Sequence, residues 1–143
     1  MRVCLLYGGS DRESRKLKSL CDALSRGMSA QECSPTVEVF NMYQEMGRNI
    51  SYYDYYVFAS EASGFFGGKI PQIVYDFLKG CGNVSGKRCF CFISKKGMRK
   101  GKTLHVLMKA LESEGAFISN FEILDSLGMA QAMGKRLRLS KND

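Results

Sequence analysis

Long apolar runs are missing from this sequence. None exceeds the length of a strand, so no segment is expected to cross a bilayer. Metal-ligand spacing is missing too: the only histidine, His105, has no cysteine near it, and the six cysteines include no Cys-x-x-Cys pair. A zinc site is therefore not expected. Cys4, Cys89 and Cys91 lie inside apolar runs and Cys21 on the apolar face of a helix, so with Cys33 and Cys81 they read as buried free thiols of a reducing cytoplasm rather than as disulfides. The opening residues MRVCLLYGGS lack the long apolar core and cleavage site of a signal peptide, and read as a first strand. Ribonucleoprotein, zinc-finger and recognition-helix patterns are also absent, so nucleic acid is not the expected partner despite a formal charge of +7. The excess of cations gathers in Lys95 to Lys102 and Lys135 to Lys141, as solvated surface or a face for acidic partners. Finally, Gly97 to Thr103 imitates a phosphate-binding P-loop but has three residues between its glycines where four are required, which argues against nucleotide hydrolysis.

What is present is the composition of one globular domain, expected to span 1–143, with 45% hydrophobic and 24% charged residues. Val3 to Tyr7 is strand-like and ends in Gly8-Gly9-Ser10. Ser10 to Glu13 has the form of a capping box, a serine followed three residues on by glutamate, and Leu17, Leu20, Cys21, Leu24 and Met28 mark one face of the helix it predicts. After Ser34-Pro35 come a short strand at Val37 to Phe40 and a connection, Asn41 to Ser51, with a helical turn. Tyr55 to Ala59 is apolar enough to be a strand buried on both faces. The stretch Ser60 to Gly68 is small and flexible apart from Phe65-Phe66, and a helix starts at Pro71. A fourth strand spans Arg88 to Ser94, a basic loop Lys95 to Gly101, and a helix carries Leu104, Leu107, Met108 and Leu111. Ala116 to Leu124 supplies a fifth strand and Met129 to Leu139 a last helix. Strands alternating with helices long enough to cross between parallel neighbours predict an α/β fold with a doubly wound sheet.

In order and spacing, nearly the whole chain resembles the flavodoxin-like family. Tyr7 to Ser14 lies on the family's hydroxyl-rich loop that wraps the phosphate of FMN. Asp54, Ala59-Ser60, Phe66 and Ile70-Pro71 are similar to the family's third strand, its turn, an aromatic and the Ile-Pro that opens the next helix. The resemblance implies a three-layer doubly wound sandwich around a five-stranded parallel sheet of order 2-1-3-4-5, and non-covalent FMN. The phosphate is expected on Gly9, Ser10, Asp11, Arg12, Glu13 and Ser14. The isoalloxazine is expected between two loops: Ser60, Glu61, Ala62, Ser63, Gly64, Phe65, Phe66, Gly67 and Gly68 on one side, and Ser94, Lys95, Lys96, Gly97, Met98 and Gly101 on the other.

The departures from the family fall on these loops. Gly9 replaces a hydroxyl residue, Arg12 stands where glycine is usual, and Asp11 brings a negative charge where the phosphate should arrive. The loop bearing Phe65-Phe66 is about two residues longer than the common pattern, and lacks its usual tryptophan or tyrosine. The cations of the second loop would stabilise a reduced, anionic flavin or attract the phosphates of NADPH. No side chain reads as a catalytic nucleophile or base. The expected activity is electron transfer by an FMN-binding protein, cytoplasmic, monomeric or homodimeric, with a redox partner protein, acidic by charge complement, or NAD(P)H. The rivals are an FMN-dependent NAD(P)H oxidoreductase acting on quinone-type acceptors and a cofactor-less binding module. One of Phe65 and Phe66 is expected in the core and the other available; Tyr52, Tyr53, Tyr55 and Tyr56 are expected to pack, and His105 to lie at the surface.

Overall fold

The computed structural model describes residues 1–139; Lys141, at the end of the basic tail, lies outside the described residues. Strands and helices alternate except between β2 and β3, which follow each other with no helix between them: β1 (Arg2–Gly8), α1 (Arg15–Ser29), β2 (Thr36–Asn41), β3 (Tyr55–Ser60), α2 (Gln72–Lys79), β4 (Arg88–Ser94), α3 (Lys100–Ser113), β5 (Phe117–Leu124) and α4 (Leu127–Arg136). All strand pairings are parallel and the sheet order is β2-β1-β3-β4-β5, the order that the family resemblance implies.

Alternation along the strands divides the core in two, because successive side chains leave a strand on opposite faces. Cys4, Leu6, Tyr56, Phe58, Cys91 and Ile93 point to one face, where Val74, Phe77 and Leu78 of α2 and Leu104, Leu107 and Leu111 of α3 cover them. Val3, Leu5, Tyr55, Val57, Phe90 and Phe92 point to the other, covered by Leu17, Leu20, Cys21, Leu24 and Met28 of α1 and by Ala130 and Met133 of α4. Helices on both faces make three layers. Every residue of β3 is buried, as its unbroken apolar run requires. The edge strand β5, with one neighbour only, leaves Phe117 and Phe121 exposed.

Several boundaries differ from the sequence reading. The first helix begins at Arg15, not behind a capping box at Ser10. Residues 41–51 form the connection expected there, and its first turn is closed by the Gln44 amide donating to the Asn41 carbonyl at 3.0 Å. The last helix starts two residues before Met129, because the Ser126 hydroxyl caps it by accepting from the Met129 amide at 3.1 Å, and it stops at Arg136. Tyr53, Tyr55 and Tyr56 are buried, whereas Tyr52 is exposed and stacks on Tyr53 beneath the Arg2 guanidinium. His105 is exposed. All six cysteines are free; five are buried and Cys33 is not. Burial pushes the Cys81 thiol up to about 11 and that of Cys89 to about 12, which keeps both protonated and unreactive near neutral pH. Among the described residues no helix is long and apolar enough to cross a membrane.

Candidate functional site

In the order β2-β1-β3-β4-β5 the chain reverses its direction of winding between β1 and β3, and ligands of open α/β sheets bind beyond the carboxyl ends of the strands at such a point. Here Gly8 pairs with Ser60, and Ser60 with Ile93 next to Ser94, so three loops leave the sheet side by side. The Ser60 hydroxyl donates to the Gly8 carbonyl at 2.7 Å and ties the first two together at their roots.

The first loop is organised by a residue that is 51 positions away, Glu61. Its carboxylate oxygen Oε2 accepts from the Ser10 amide at 2.8 Å and from the Ser10 hydroxyl at 2.7 Å. Lys96 Nζ, from the third loop, donates to the same hydroxyl at 2.5 Å and lies 3.4 Å from Oε2. The Glu61 side chain is only 7% exposed. A buried carboxylate survives only when paired and hydrogen-bonded, and this one has an ammonium, a hydroxyl and an amide converging on it. Gly9 makes the room: a Cβ there would stand 2.9 Å from Oε2 and 2.2 Å from the Ser14 hydroxyl. The missing hydroxyl side chain at this position is thus a steric requirement of the Glu61 contact and of the tucked-in Ser14.

The remainder of that loop is also satisfied from within the chain. Asp11 Oδ1 accepts from the Ser14 amide at 2.6 Å, and the Ser14 hydroxyl donates to the Asp11 carbonyl at 2.5 Å. Ser14 sits in the left-handed region, φ 49°, which ends the loop and sets the first helical residue at Arg15. Asn41, the last residue of β2, donates to the Arg12 carbonyl at 2.7 Å, and the Tyr43 hydroxyl donates to the Gly9 carbonyl at 2.7 Å. Burial, and then the nearby Asp11, hold the Tyr43 hydroxyl above its ordinary range, so it remains a donor. Arg12 lies over the Tyr43 ring, and Glu13 is exposed and paired with Arg15 at 2.8 Å. Arg12, Arg15 and Lys16 line an open hollow of about 610 Å³ with Asp11 and Glu13.

The second and third loops meet through their backbones. The Met98 amide donates to the Phe65 carbonyl at 2.8 Å. Gly67, at φ 71°, passes so close to Met98 that a Cβ would fall 1.8 Å from the Met98 carbonyl oxygen. The Gly68 amide donates to the Thr103 hydroxyl at 2.8 Å, and Gly97 faces the Phe65 carbonyl. Phe65 and Phe66 are each 72% exposed, set edge to face with centroids 5.6 Å apart, and neither enters the core. Ala62 is buried, while Ser63 and Gly64 are exposed. Lys95 is at the surface beside Asp125, 3.7 Å away. Gly101 belongs to the first turn of α3, not to the loop. Ser94 is fully buried and its hydroxyl finds no partner among the described residues.

Three of the residues that shape this edge were not among the candidates: Asn41, Tyr43 and Thr103. Asn41 carried a usable signal, a polar side chain at the carboxyl end of a strand; Tyr43 and Thr103 carried none. As a test of fit for FMN, the donor set at Ser10 is one that takes an anion, and the Glu61 carboxylate stands there in the manner of a phosphate oxygen. Arg12 shares an open hollow with Ser10, and Arg15 and Lys16 lie with it on the same loop and the start of α1. The exposed faces of Phe65 and Phe66 offer a surface on which a flat ring can stack. The residues fit the group provided that Glu61 yields its position.

No protein-family model and no curated protein matches the sequence. Solved structures do match in shape. Oxidised flavodoxin 1 from Bacillus cereus superposes with a TM-score of 0.70 at 16% identity, over 96% of this chain and 100% of that one. Two-electron reduced Megasphaera elsdenii flavodoxin gives 0.71 at 14% identity, over 93% and 96%. The Flv1 flavodiiron core from Synechocystis gives 0.60 at 17%, over 94% of this chain but 34% of that one. The protein has the flavodoxin-like fold.

Proposed function

We propose that this protein is an electron carrier that binds FMN non-covalently at the carboxyl edge of β1, β3 and β4. The observation that carries the reading is the convergence of Ser10, Glu61 and Lys96, one from each of the three loops, on a single anion position at the winding reversal. In this reading Ser10 and Lys96 hold the phosphate, with Arg12, Arg15 and Lys16 adding positive charge at the start of α1, and Phe65 and Phe66 provide the stacking surface. When bound, the flavin supplies the redox chemistry. The chain's residues orient it and set its electrostatic surroundings. The exposed cations of the second and third loops and the start of α3, Lys69, Lys95, Arg99 and Lys102, suit an acidic redox partner.

An absorbance spectrum of the purified protein, before and after addition of FMN and removal of the excess, tests the reading. Retained flavin bands with quenched fluorescence support it; a colourless protein that also rejects added FMN overturns it. Retained flavin with steady NADPH consumption would reassign the protein as an oxidoreductase. A second reading, a flavodoxin-fold binding module without cofactor, is favoured by one observation: the anion position is already filled by Glu61.

A further inference from the structure

We propose that Glu61 is an internal surrogate for the cofactor phosphate, and that its carboxylate and the phosphate compete for the Ser10 donors. The inference rests on the FMN reading for the identity of the competing anion, and on the geometry alone for the existence of the competition. Three donors from two loops meet at one carboxylate oxygen: the Ser10 amide at 2.8 Å, the Ser10 hydroxyl at 2.7 Å and the Lys96 ammonium at 3.4 Å. Peptide amide, hydroxyl and ammonium are the donors by which proteins hold phosphate oxygens, and a carboxylate satisfies them with the same charge sign and acceptor chemistry. The loop is shaped around this arrangement, since any side chain at position 9 would collide with Oε2. Glu61 is anchored at the end of β3, next to Ser60, whose hydroxyl holds Gly8 independently at 2.7 Å. The carboxylate can therefore leave Ser10 by side-chain rotation while the loop roots stay joined.

Three consequences distinguish this arrangement from a carboxylate that merely braces the loop. A phosphate-bearing ligand has to displace Glu61, so its affinity is lowered by the competition, whereas a flavin without phosphate has no such opponent. Removing the charge at position 61 therefore strengthens FMN binding selectively. It also opens the position to free inorganic phosphate. A bracing role predicts the reverse, because loss of the brace would disorder the loop and weaken all ligands.

The experiment compares the full-length wild-type chain with Glu61→Gln and Glu61→Ser. FMN and riboflavin are titrated by fluorescence quenching, and thermal midpoints are measured with and without inorganic phosphate. The expected result is FMN affinity raised by about tenfold or more in both variants, the difference made by one charge-assisted hydrogen bond set, with riboflavin affinity little changed. Inorganic phosphate should raise the midpoint of the Glu61→Ser chain and leave the wild type unmoved. Should either variant fold poorly, the wild type still decides: on FMN addition the Ser10 amide resonance must move as its acceptor changes from carboxylate to phosphate.

Equal or weaker FMN binding by the variants, or a fixed Ser10 resonance in FMN-saturated wild type, overturns the surrogate role while leaving the FMN reading intact. Phosphate stabilisation of Glu61→Ser alone, with no flavin bound by any chain, keeps the surrogate and removes FMN. No response to phosphate or flavin in any chain overturns both.

Discussion

The anion half of the site, residues 9–14 with Glu61 and Lys96, is tied together by charged and hydroxylic side chains. The aromatic half, residues 64–68 against Gly97 and Met98, is tied mainly by backbone: one amide-to-carbonyl bond and two glycines that pass closer to their neighbours than any Cβ permits, with one side chain, the Thr103 hydroxyl, accepting from the Gly68 amide. The difference has a functional meaning. Side-chain ties to an anion are of the same kind as those a ligand anion makes, so one can replace the other without refolding. Backbone ties set by steric exclusion have no ligand equivalent. They give a fixed platform with Phe65 and Phe66 facing outward, beside a loop whose charges can be exchanged.

The comparison is broken most severely at Gly67. Alanine there puts a Cβ 1.8 Å from the Met98 carbonyl oxygen at φ 71°, where the colliding atom is backbone and cannot rotate away. Gly67→Ala should destabilise the protein by about 3 kcal/mol in urea unfolding. A change below about 0.5 kcal/mol, the size of an ordinary surface substitution, would show that the two loops are not in contact in solution.

The second effect is at Glu61. Truncation to alanine leaves the Ser10 amide and hydroxyl without their acceptor and Lys96 without its counter-charge. The expected loss is about 1–2 kcal/mol, less than at Gly67 because water or an added anion can enter where the carboxylate stood. Unfolding measured with and without phosphate separates the two halves directly: phosphate should restore part of the Glu61→Ala loss and none of the Gly67→Ala loss.

These two residues also show what could be read in the sequence. The elements were legible because they depend on local periodicity: the all-apolar run at Tyr55 to Ala59, and Leu17, Leu20, Cys21, Leu24 and Met28 at helical spacing, found their places in β3 and α1, whereas the strand order came from the family resemblance. The positions of the loops followed from the fold. Their internal chemistry did not. Ser10 to Glu13 has a perfect local capping pattern, yet Ser10 is captured by a carboxylate 51 residues away, and Asp11 takes the Ser14 amide and delays the helix to Arg15. Pairings at that separation leave no periodic trace. Glu61 was included only as one of a run of small residues, and its burial depends on Lys96, from another loop. Phe65 and Phe66 were divided between core and surface on hydrophobicity, whereas both lie exposed on a loop fixed by its backbone contacts with Gly97 and Met98.

Asp11 offers a smaller test within the anion half. Its carboxylate oxygen holds the Ser14 amide at 2.6 Å on an exposed loop. Asp11→Ala should cost about 1 kcal/mol, the usual value of a side-chain cap. It should also improve FMN binding, because it frees an amide and removes a negative charge beside the phosphate position. Weaker FMN binding in this variant would mean that the Asp11 turn, not the cations of Arg12, Arg15 and Lys16, shapes the phosphate end.

The smallest effect on stability, and the most specific on function, is expected at Phe66. Its ring is 72% exposed and touches Phe65 edge to face, so Phe66→Ser should change unfolding free energy by no more than about 0.5 kcal/mol. An exposed aromatic pair on a fixed backbone platform is costly in solubility and contributes little to the fold, so its value must lie in what it contacts. If that contact is a flavin ring, losing one stacking face should weaken FMN and riboflavin alike, by about tenfold, since stacking on an aromatic ring is worth roughly 1–3 kcal/mol. The equal loss matters, because substitutions in the anion half should affect FMN only. A Phe66→Ser chain that binds both flavins as before would detach the aromatic half from the cofactor and leave its exposed rings, with the exposed lysines of the second and third loops, as a surface for an acidic protein partner.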